Sequence, residues 1–421
     1  MELKTKYQYT YFIYPYIIEK NKYDKYILKL FKDKRCEFKI FEKEKDMNIY
    51  NYFLPNFRDD IFPTFNLRGE KLKEFKSYKL ETKSKIVSSQ TMACFNYNLA
   101  ENVKGKVDNN EVGIFFNIEK IEIICFNTGI CFFVMKTNLE GSNSFADMLN
   151  FNYKFKDFYS DLKSLKNYEN IRIQTDTFKD VKDLLELIEQ VTGINSKKRM
   201  PRKDIIGSRF YTFGYACLES EFWNDKIDLE TYINDFHRFV NVLPSNFSAD
   251  FNKKIYTEDT AIIDRLKYYR ISVTKQSSNL ICSGMDTYNF TRLPYEYENE
   301  YFYTYILTLY QKVFLTKLDS DFKQYEGIKQ LRNEFLKFTR KMWEKEITLS
   351  DRGTSYFKAL KKVLELEELY SGNQTKYEVI YKDLNIEKNN RYYVILIIVL
   401  IFSLYLNLMN VLILLYYNSS R

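Results

Sequence analysis

The sequence predicts an α+β protein: a strand-rich N-terminal α/β domain in the cytoplasm, then long stalk helices, then a C-terminal transmembrane helix. Three observations predict this fold class. Apolar runs bounded by turn residues fill the first 293 residues. No proline occurs after Pro294, and helix-forming residues dominate there. Residues 392–417 contain no Lys, Arg, Asp, Glu, Gly or Pro, and a helix of that length would measure about 39 Å, enough to cross a bilayer core of roughly 30 Å.

Strand signals are clearest in the first half of the chain. An aromatic run over residues 7–16 predicts a first strand. Residues 112–139 predict a hairpin at the centre of a sheet, because two apolar runs flank the turn residues Asn-Thr-Gly at 127–129. Further strands are predicted at residues 205–216, 269–273 and 280–284.

Helix signals lie between these strands. Residues 144–155 and 178–191 have apolar residues at helical spacing, and Gly193 is placed to end the second helix. A third helix is predicted at 257–268. Strands interspersed with helices give one α/β or α+β domain over residues 1–293.

Residues 294–391 predict a helical stalk. Apolar stripes at helical spacing begin near Tyr301, Phe335 and Tyr356, and the last of them runs almost to the apolar segment. The final stalk helix is therefore expected to feed directly into the transmembrane segment, residues 392–417.

Charge and composition exclude several function classes. The chain has 64 Lys and Arg against 56 Asp and Glu, a mixed surface from which we predict no direct binding of nucleic acid. His237 is the only histidine, which nearly removes zinc sites and catalytic triads, and its expected place is the core or a helix surface. Motifs for nucleotide hydrolysis, dinucleotide binding and serine hydrolysis are absent, so we predict no enzyme. Scattered carboxylates leave an anchored nuclease as an alternative.

Basic residues gather on one side of the apolar segment. Lys376, Lys382, Lys388 and Arg391 precede it, and only Arg421 follows it. The positive-inside bias then places the N-terminal domain in the cytoplasm. The first apolar patch lacks the features of a signal peptide, and the six cysteines show no CxxC spacing, which fits a reducing compartment. The expected location is the cell membrane.

The apolar segment carries one polar face. Ser403, Asn407 and Asn410 recur at i, i+4 and i+7 and so share one side of a helix. In a bundle of identical helices this face would turn inward, because lipid offers amides no hydrogen-bond partner. The predicted pore-lining residues are Leu396, Val399, Leu400, Ser403, Asn407 and Asn410. The alternative is that these asparagines only join helices within the membrane.

The C-terminal third resembles the CorA family of divalent-cation channels. The tripeptide Leu408, Met409 and Asn410 lies where that family carries Gly-Met-Asn at the outer pore mouth. The positions similar to the family's helix hairpin before the stalk are Trp343, residues 347–351, Gly353, Tyr356, Leu360 and Leu369. The resemblance covers residues from about 296 onward, and over the first 290 it is architectural.

The resemblance implies a homo-oligomer, a pentamer in the family, that conducts Mg²⁺ or another divalent cation. Leucine replaces the glycine of the tripeptide, and the apolar run after Asn410, residues 411–417, is too short for the family's second span. Either that span is missing, or one helix continues through Asn410. The chain is also similar to divergent members of the family that accompany type III CRISPR systems, which implies opening by a nucleotide second messenger made from S-adenosylmethionine and AMP (SAM-AMP) in antiviral defence.

A nucleotide ligand would need cationic side chains, which a short basic loop and a nearby arginine supply. The predicted ligand-binding residues are Lys197, Lys198, Arg199, Arg202 and Arg209, through charge-assisted hydrogen bonds to phosphate. The alternative for this loop is an ordinary solvated surface. For the whole chain, the alternatives are a membrane-anchored nucleotide-sensing or interaction protein without a pore, and a plain Mg²⁺ transporter. No bound cofactor is predicted.

Overall fold

A computed structural model describes residues 2–99, 104–107, 113–156, 171–175, 178–194, 209–248, 260–324 and 328–419. The strands are β1 (Thr5–Ile17), β2 (Cys36–Phe38), β3 (Met92–Tyr97), β4 (Lys104–Val107), β5 (Ile114–Phe126), β6 (Ile130–Leu139), β7 (Ile171–Thr175), β8 (Phe178–Asp183), β9 (Tyr211–Leu218), β10 (Ala261–Leu266), β11 (Tyr269–Val273) and β12 (Ser277–Ser283). In these ranges the chain is a mixed α+β protein with an N-terminal sheet and C-terminal helices, as predicted.

The helices of the first part are α1 (Lys20–Lys32), α2 (Met47–Tyr52), α3 (Pro55–Ile61), α4 (Glu70–Ser77), α5 (Leu80–Ser89), α6 (Phe145–Lys156), α7 (Leu184–Thr192) and α8 (Ile233–Asn241). The later helices are α9 (Tyr288–Thr291), α10 (Leu293–Glu296), α11 (Phe302–Gln324), α12 (Ile328–Lys341), α13 (Asp351–Val363) and α14 (Leu366–Ser419). Two 3₁₀ turns (Pro63–Asn66 and Leu229–Tyr232) and a π-helical turn (Tyr297–Tyr301) complete the described elements.

The described strands form one sheet in the order β10-β11-β12-β9-β1-β6-β5-β4-β7-β8, and β3 pairs with both β5 and β2. Neighbours are antiparallel except β9 and β12, which run parallel. The predicted hairpin is confirmed as β5 and β6 in the middle of this order. The strand predicted at residues 7–16 is confirmed as β1, which lies between β6 and β9.

Both faces of the central strands are covered by helices. Along β1, Tyr9, Tyr11 and Ile13 join a core that contains the C-terminal helices, and Phe12 joins a second core with α1, α6 and α7. This alternation follows from the period of two in a strand. A strand buried on both sides needs apolar residues at nearly every position, which explains the aromatic run.

Two helix predictions are wrong in part. Residues 178–191 were predicted as one helix, but they form β8 followed by α7, because β8 pairs with β7 along the sheet edge. The helix predicted at 257–268 is contradicted at 261–266, where β10 pairs with β11 across a short turn. In both segments the apolar spacing fits a helix locally, and pairing with a neighbouring strand decides the outcome.

The core contains the lone histidine, as predicted, and most of the cysteines. His237 lies buried on α8, and burial lowers the pKa of its imidazole. All six cysteines are free, and five of them are buried. Cys125 and Cys131 face each other across the β5–β6 hairpin as thiols.

Candidate functional site

The last helix, α14, joins the folded part of the chain to the apolar segment without a break. It has 54 residues and therefore measures about 81 Å. Near its start, the ring of Tyr370 stacks on Trp343 at a centroid distance of 4.2 Å, and Tyr377 contacts Phe335 at 5.7 Å. The direct passage from stalk to apolar segment is therefore confirmed.

Polar contacts fix this first part of α14 against α11. Asn373 is fully buried, and its Nδ2 donates to the carbonyl oxygens of Leu315 at 3.0 Å and Leu369 at 2.8 Å. One turn later, Lys376 forms an ion pair with Asp319 of α11. Burial by itself would raise the pKa of Asp319, but Lys376 and Lys323 hold that pKa below its usual value. The stalk end of α14 is thus held by α11.

Replacing Asn373 with alanine is expected to lower the free energy of unfolding by about 1–3 kcal/mol, because buried hydrogen bonds are lost without replacement. Urea unfolding followed by fluorescence measures the change. The matched control is Gln374→Ala at the exposed neighbouring position, where a change within about 0.5 kcal/mol is expected. Equal effects at the two positions would contradict the anchoring role of Asn373.

The second part of α14 is the stretch of the described chain that is long and apolar enough to cross a membrane. This stretch is Tyr392–Ile413, with 22 residues, and none of it is buried against the rest of the chain. Leu396 is 57% exposed and Leu408 is 62% exposed. Such a continuous apolar surface would be costly in water, so it calls for lipid or for copies of the same helix.

The predicted pore-lining residues fall on one side of this helix. At 3.6 residues per turn, they lie within an arc of about 100°. All six are exposed in the single chain. The helix does not break at Leu408, Met409 and Asn410, so one uninterrupted helix continues through the tripeptide to Ser419. The single chain therefore presents a row of polar groups along one side of an apolar helix.

The predicted ligand-binding loop is only partly covered by the structure. Lys197, Lys198, Arg199 and Arg202 lie outside the described residues. Arg209 is exposed, and its Nη1 donates to Oε1 of Gln276 at 3.3 Å. Beside it is a cavity of about 210 Å³ lined by Lys156 and Lys275.

Both lysines of this small cavity already bond to protein groups. Lys156 donates to the carbonyl oxygen of Val242 at 2.9 Å, and Lys275 pairs with Glu365 at 2.7 Å. Within the described part of the chain, no group of three or more His, Cys, Asp or Glu side chains is placed to hold a metal ion.

A larger cleft, for which no site was predicted from the sequence, lies between α1 and the pair α11 and α12. Its volume is about 830 Å³, and five lysines and two glutamates line it. Four of the lysines lie on α1, and Lys22, Lys25 and Lys29 follow each other at i, i+3 and i+7. The spacing places these three lysines on one face of a helix, which could have indicated the cleft from the sequence. Helix α1 itself was not predicted.

Comparisons of the chain with protein-family models, with curated proteins and with solved structures found no match. The likeness to the CorA family therefore stays a prediction that rests on residues 296–421. Three features of the chain bear on its function: the polar face of α14, its attachment to α11 through Asn373, and the lysine-lined cleft.

Proposed function

We propose that this chain is a membrane protein whose C-terminal helices assemble, as a homo-oligomer, around a cation pore. The observation that carries the proposal is the row of Ser403, Asn407 and Asn410 on the apolar, exposed stretch Tyr392–Ile413 of α14. An amide that faces lipid loses its hydrogen-bond partners, so these side chains favour an interior between helices. Rings of asparagine oxygens can hold a hydrated cation such as Mg²⁺, which keeps most of its water.

The same face offers a gate. Leu396, Val399 and Leu400 would form apolar rings nearer the stalk, and a narrow apolar ring stops ions by dewetting. Because α14 is continuous with the packed stalk, a shift of the stalk moves these rings directly. This supports gating by a ligand of the N-terminal domain.

The resemblance to the CorA family supports a more specific proposal. In it, the protein is a pentamer in the cell membrane with its N-terminal domain in the cytoplasm, and SAM-AMP opens the pore in type III CRISPR defence. The basic residues that precede the apolar segment support this orientation. Cation flux from liposomes, measured with and without SAM-AMP, tests both the pore and the messenger.

Cysteine substitution gives the sharpest test of which helix face lines the pore. In a Cys36→Ser background, where the remaining native thiols are buried, Asn407→Cys is expected to make cation flux sensitive to a membrane-impermeant cationic thiol reagent. The matched control is Leu412→Cys, which lies on the opposite side of the helix and is expected to be insensitive. Block at both positions or at neither, or no flux with or without messenger, contradicts the assignment.

One observation favours a second candidate, a membrane-anchored sensing protein without a pore. The described chain has a single helix that could span a membrane, which suffices as a tether. Oligomeric state separates the two: a detergent-solubilised ring of about five chains supports the pore, and a monomer supports the tether. Steady Mg²⁺ flux that no messenger alters would instead indicate a plain transporter.

A further inference from the structure

We propose that the lysine-lined cleft between α1 and α11–α12 binds a nucleotide-sized anion that carries two or more phosphates. The cleft volume of about 830 Å³ is within the range of small-molecule sites. Its walls come from distant parts of the sequence: the end of β1 with α1, the β5–β6 turn, the end of α7, and α11 with α12. An occupant would therefore contact the sheet-side elements and the stalk helices together.

The charges on these walls favour an anion. Five lysines and two glutamates line the cleft, and Asp321 pairs with Lys317 beside it, so two positive charges remain in excess. Two of the lysines pair with these glutamates: Lys20 with Glu334 on the opposite wall at 2.8 Å, and Lys22 with Glu19 three residues before it at 2.5 Å. Oε1 of Glu334 accepts from both Lys20 at 2.8 Å and Gln330 at 3.0 Å.

The excess charge is concentrated on one turn of α1. Lys25 and Lys29 are four residues apart, and the described part of the chain shows no ion pair for either. Asp33, whose pKa Lys29 helps to lower, forms its ion pair with Arg35. Lys29 donates to the carbonyl oxygen of Gly193 at 3.0 Å, which is a neutral partner. Like charges at i and i+4 repel each other, and a phosphate placed between them would offset that repulsion.

The conformation of Gly193 leaves room for the ammonium group of Lys29. Its φ of +67° ends α7 in the left-handed region, and a Cβ at this position would lie about 2.0 Å from Nζ of Lys29. The positive φ favours glycine here, and a Cβ would displace the Lys29 ammonium from its present position. Ile17 and Ile194 are half-buried on the walls, and they supply apolar surface beside the ammonium groups. A ligand that carries both phosphate groups and a ring system would match the ammonium groups and the apolar surface.

The remaining lysine connects the cleft to α14. Lys317 projects from α11 and pairs with Asp321 at 2.7 Å. On the same two turns of α11, the Leu315 carbonyl accepts from Asn373, and Asp319 pairs with Lys376. A phosphate that draws Lys317 away from Asp321 would act on the segment that holds the stalk end of α14.

The position along α14 favours a soluble ligand over a lipid headgroup. Lys376 precedes Tyr392 by 16 residues, which is about 24 Å along the helix. That separation exceeds the Debye length of about 8 Å at physiological salt. The membrane surface would therefore lie well away from the cleft.

Calorimetric titration of the full chain in detergent with inorganic tripolyphosphate and with ATP tests the proposal. We expect saturable binding that weakens as salt rises, and Lys25→Ala with Lys29→Ala is expected to weaken tripolyphosphate binding by at least about tenfold. The charge-retaining pair Lys25→Arg with Lys29→Arg is expected to bind like the natural protein. The matched control removes two exposed lysines outside the cleft, Lys226→Ala with Lys358→Ala, and is expected to change binding by less than about twofold.

Several outcomes overturn the proposal: no binding of either probe, unchanged binding in the Lys25→Ala, Lys29→Ala protein, or equal loss in that protein and the control pair. ATP that binds at least as tightly as tripolyphosphate supports a nucleotide occupant, and weaker ATP binding overturns that part. Binding requires no pore, so this experiment can fail while the pore stands, and the reverse also holds. Only the effect of binding on ion flux rests on the proposed function.

Discussion

Replacing Phe213 with alanine is expected to lower the free energy of unfolding by about 3–5 kcal/mol. Phe213 lies on β9 and is completely buried. Its ring stacks on Tyr297 at a centroid distance of 4.1 Å, and the rings of Phe302 and Tyr305 lie within 6 Å. The alanine would leave a cavity where the sheet meets the C-terminal helices, and rigid neighbours on both sides cannot fill it.

The two tryptophans can show which part of the structure is destabilised by Phe213→Ala. Trp223 is buried beside β9 and β12, and Trp343 stacks on Tyr370 at the start of α14. Urea unfolding of single-tryptophan variants reports each region separately. A shift of both transitions is expected, because Phe213 belongs to the core that the sheet shares with the stalk helices.

The matched control is Phe115→Ala on β5. Phe115 is 53% exposed, so its removal is expected to cost less than about 1 kcal/mol. A similar loss of stability in both variants would contradict the packing role of Phe213. A loss seen only by Trp223 would show that the sheet and the stalk unfold independently.

The free energy of unfolding is expected to fall as pH rises from about 4.5 to about 8, and the carboxyl group of Glu300 contributes to this fall. Glu300 lies in the π-helical turn before α11. Burial raises the pKa of its carboxyl to about 8, the nearby Glu296 adds to this, and Arg292 and Arg352 offset only part of it. The folded chain therefore keeps a proton that the unfolded chain releases above about pH 4.5, so this stability is complete below 4.5 and is lost by about pH 8.

Glu300→Gln isolates this contribution, since glutamine cannot ionise. The variant is expected to match the natural protein near pH 4.5 and to be more stable at pH 8 by on the order of 2 kcal/mol, after allowance for the partial exposure of the side chain. Urea unfolding across this pH range provides the measurement.

The control for this prediction is Glu346→Gln, at an exposed position of the loop before α13. It is expected to keep the pH dependence of the natural protein. Glu298 also has a pKa raised by burial, so a residual slope is expected in Glu300→Gln. A variant whose slope equals that of the natural protein would show that Glu300 is ionised in the fold.

Local sequence patterns predicted several elements well. Strand β1, the β5–β6 hairpin, β11 and the helices after residue 293 all follow from apolar periods and turn residues, which act over a few neighbouring positions. Segments 178–183 and 261–266 failed because their apolar spacing also suits a helix. Their strand state depends on hydrogen bonds to β7 and β11, which no local pattern contains.

The polar face of α14 could be derived from the sequence, since the helical period alone places Ser403, Asn407 and Asn410 on one side of an apolar segment. The lysine cleft and the raised pKa of Glu300 required the tertiary structure. Lys29 meets Gly193, and Lys20 meets Glu334, across 164 and 314 residues of chain. Burial and charge at such sites are set by which distant segments the fold brings together, because desolvation and Coulomb forces act through space and not along the chain.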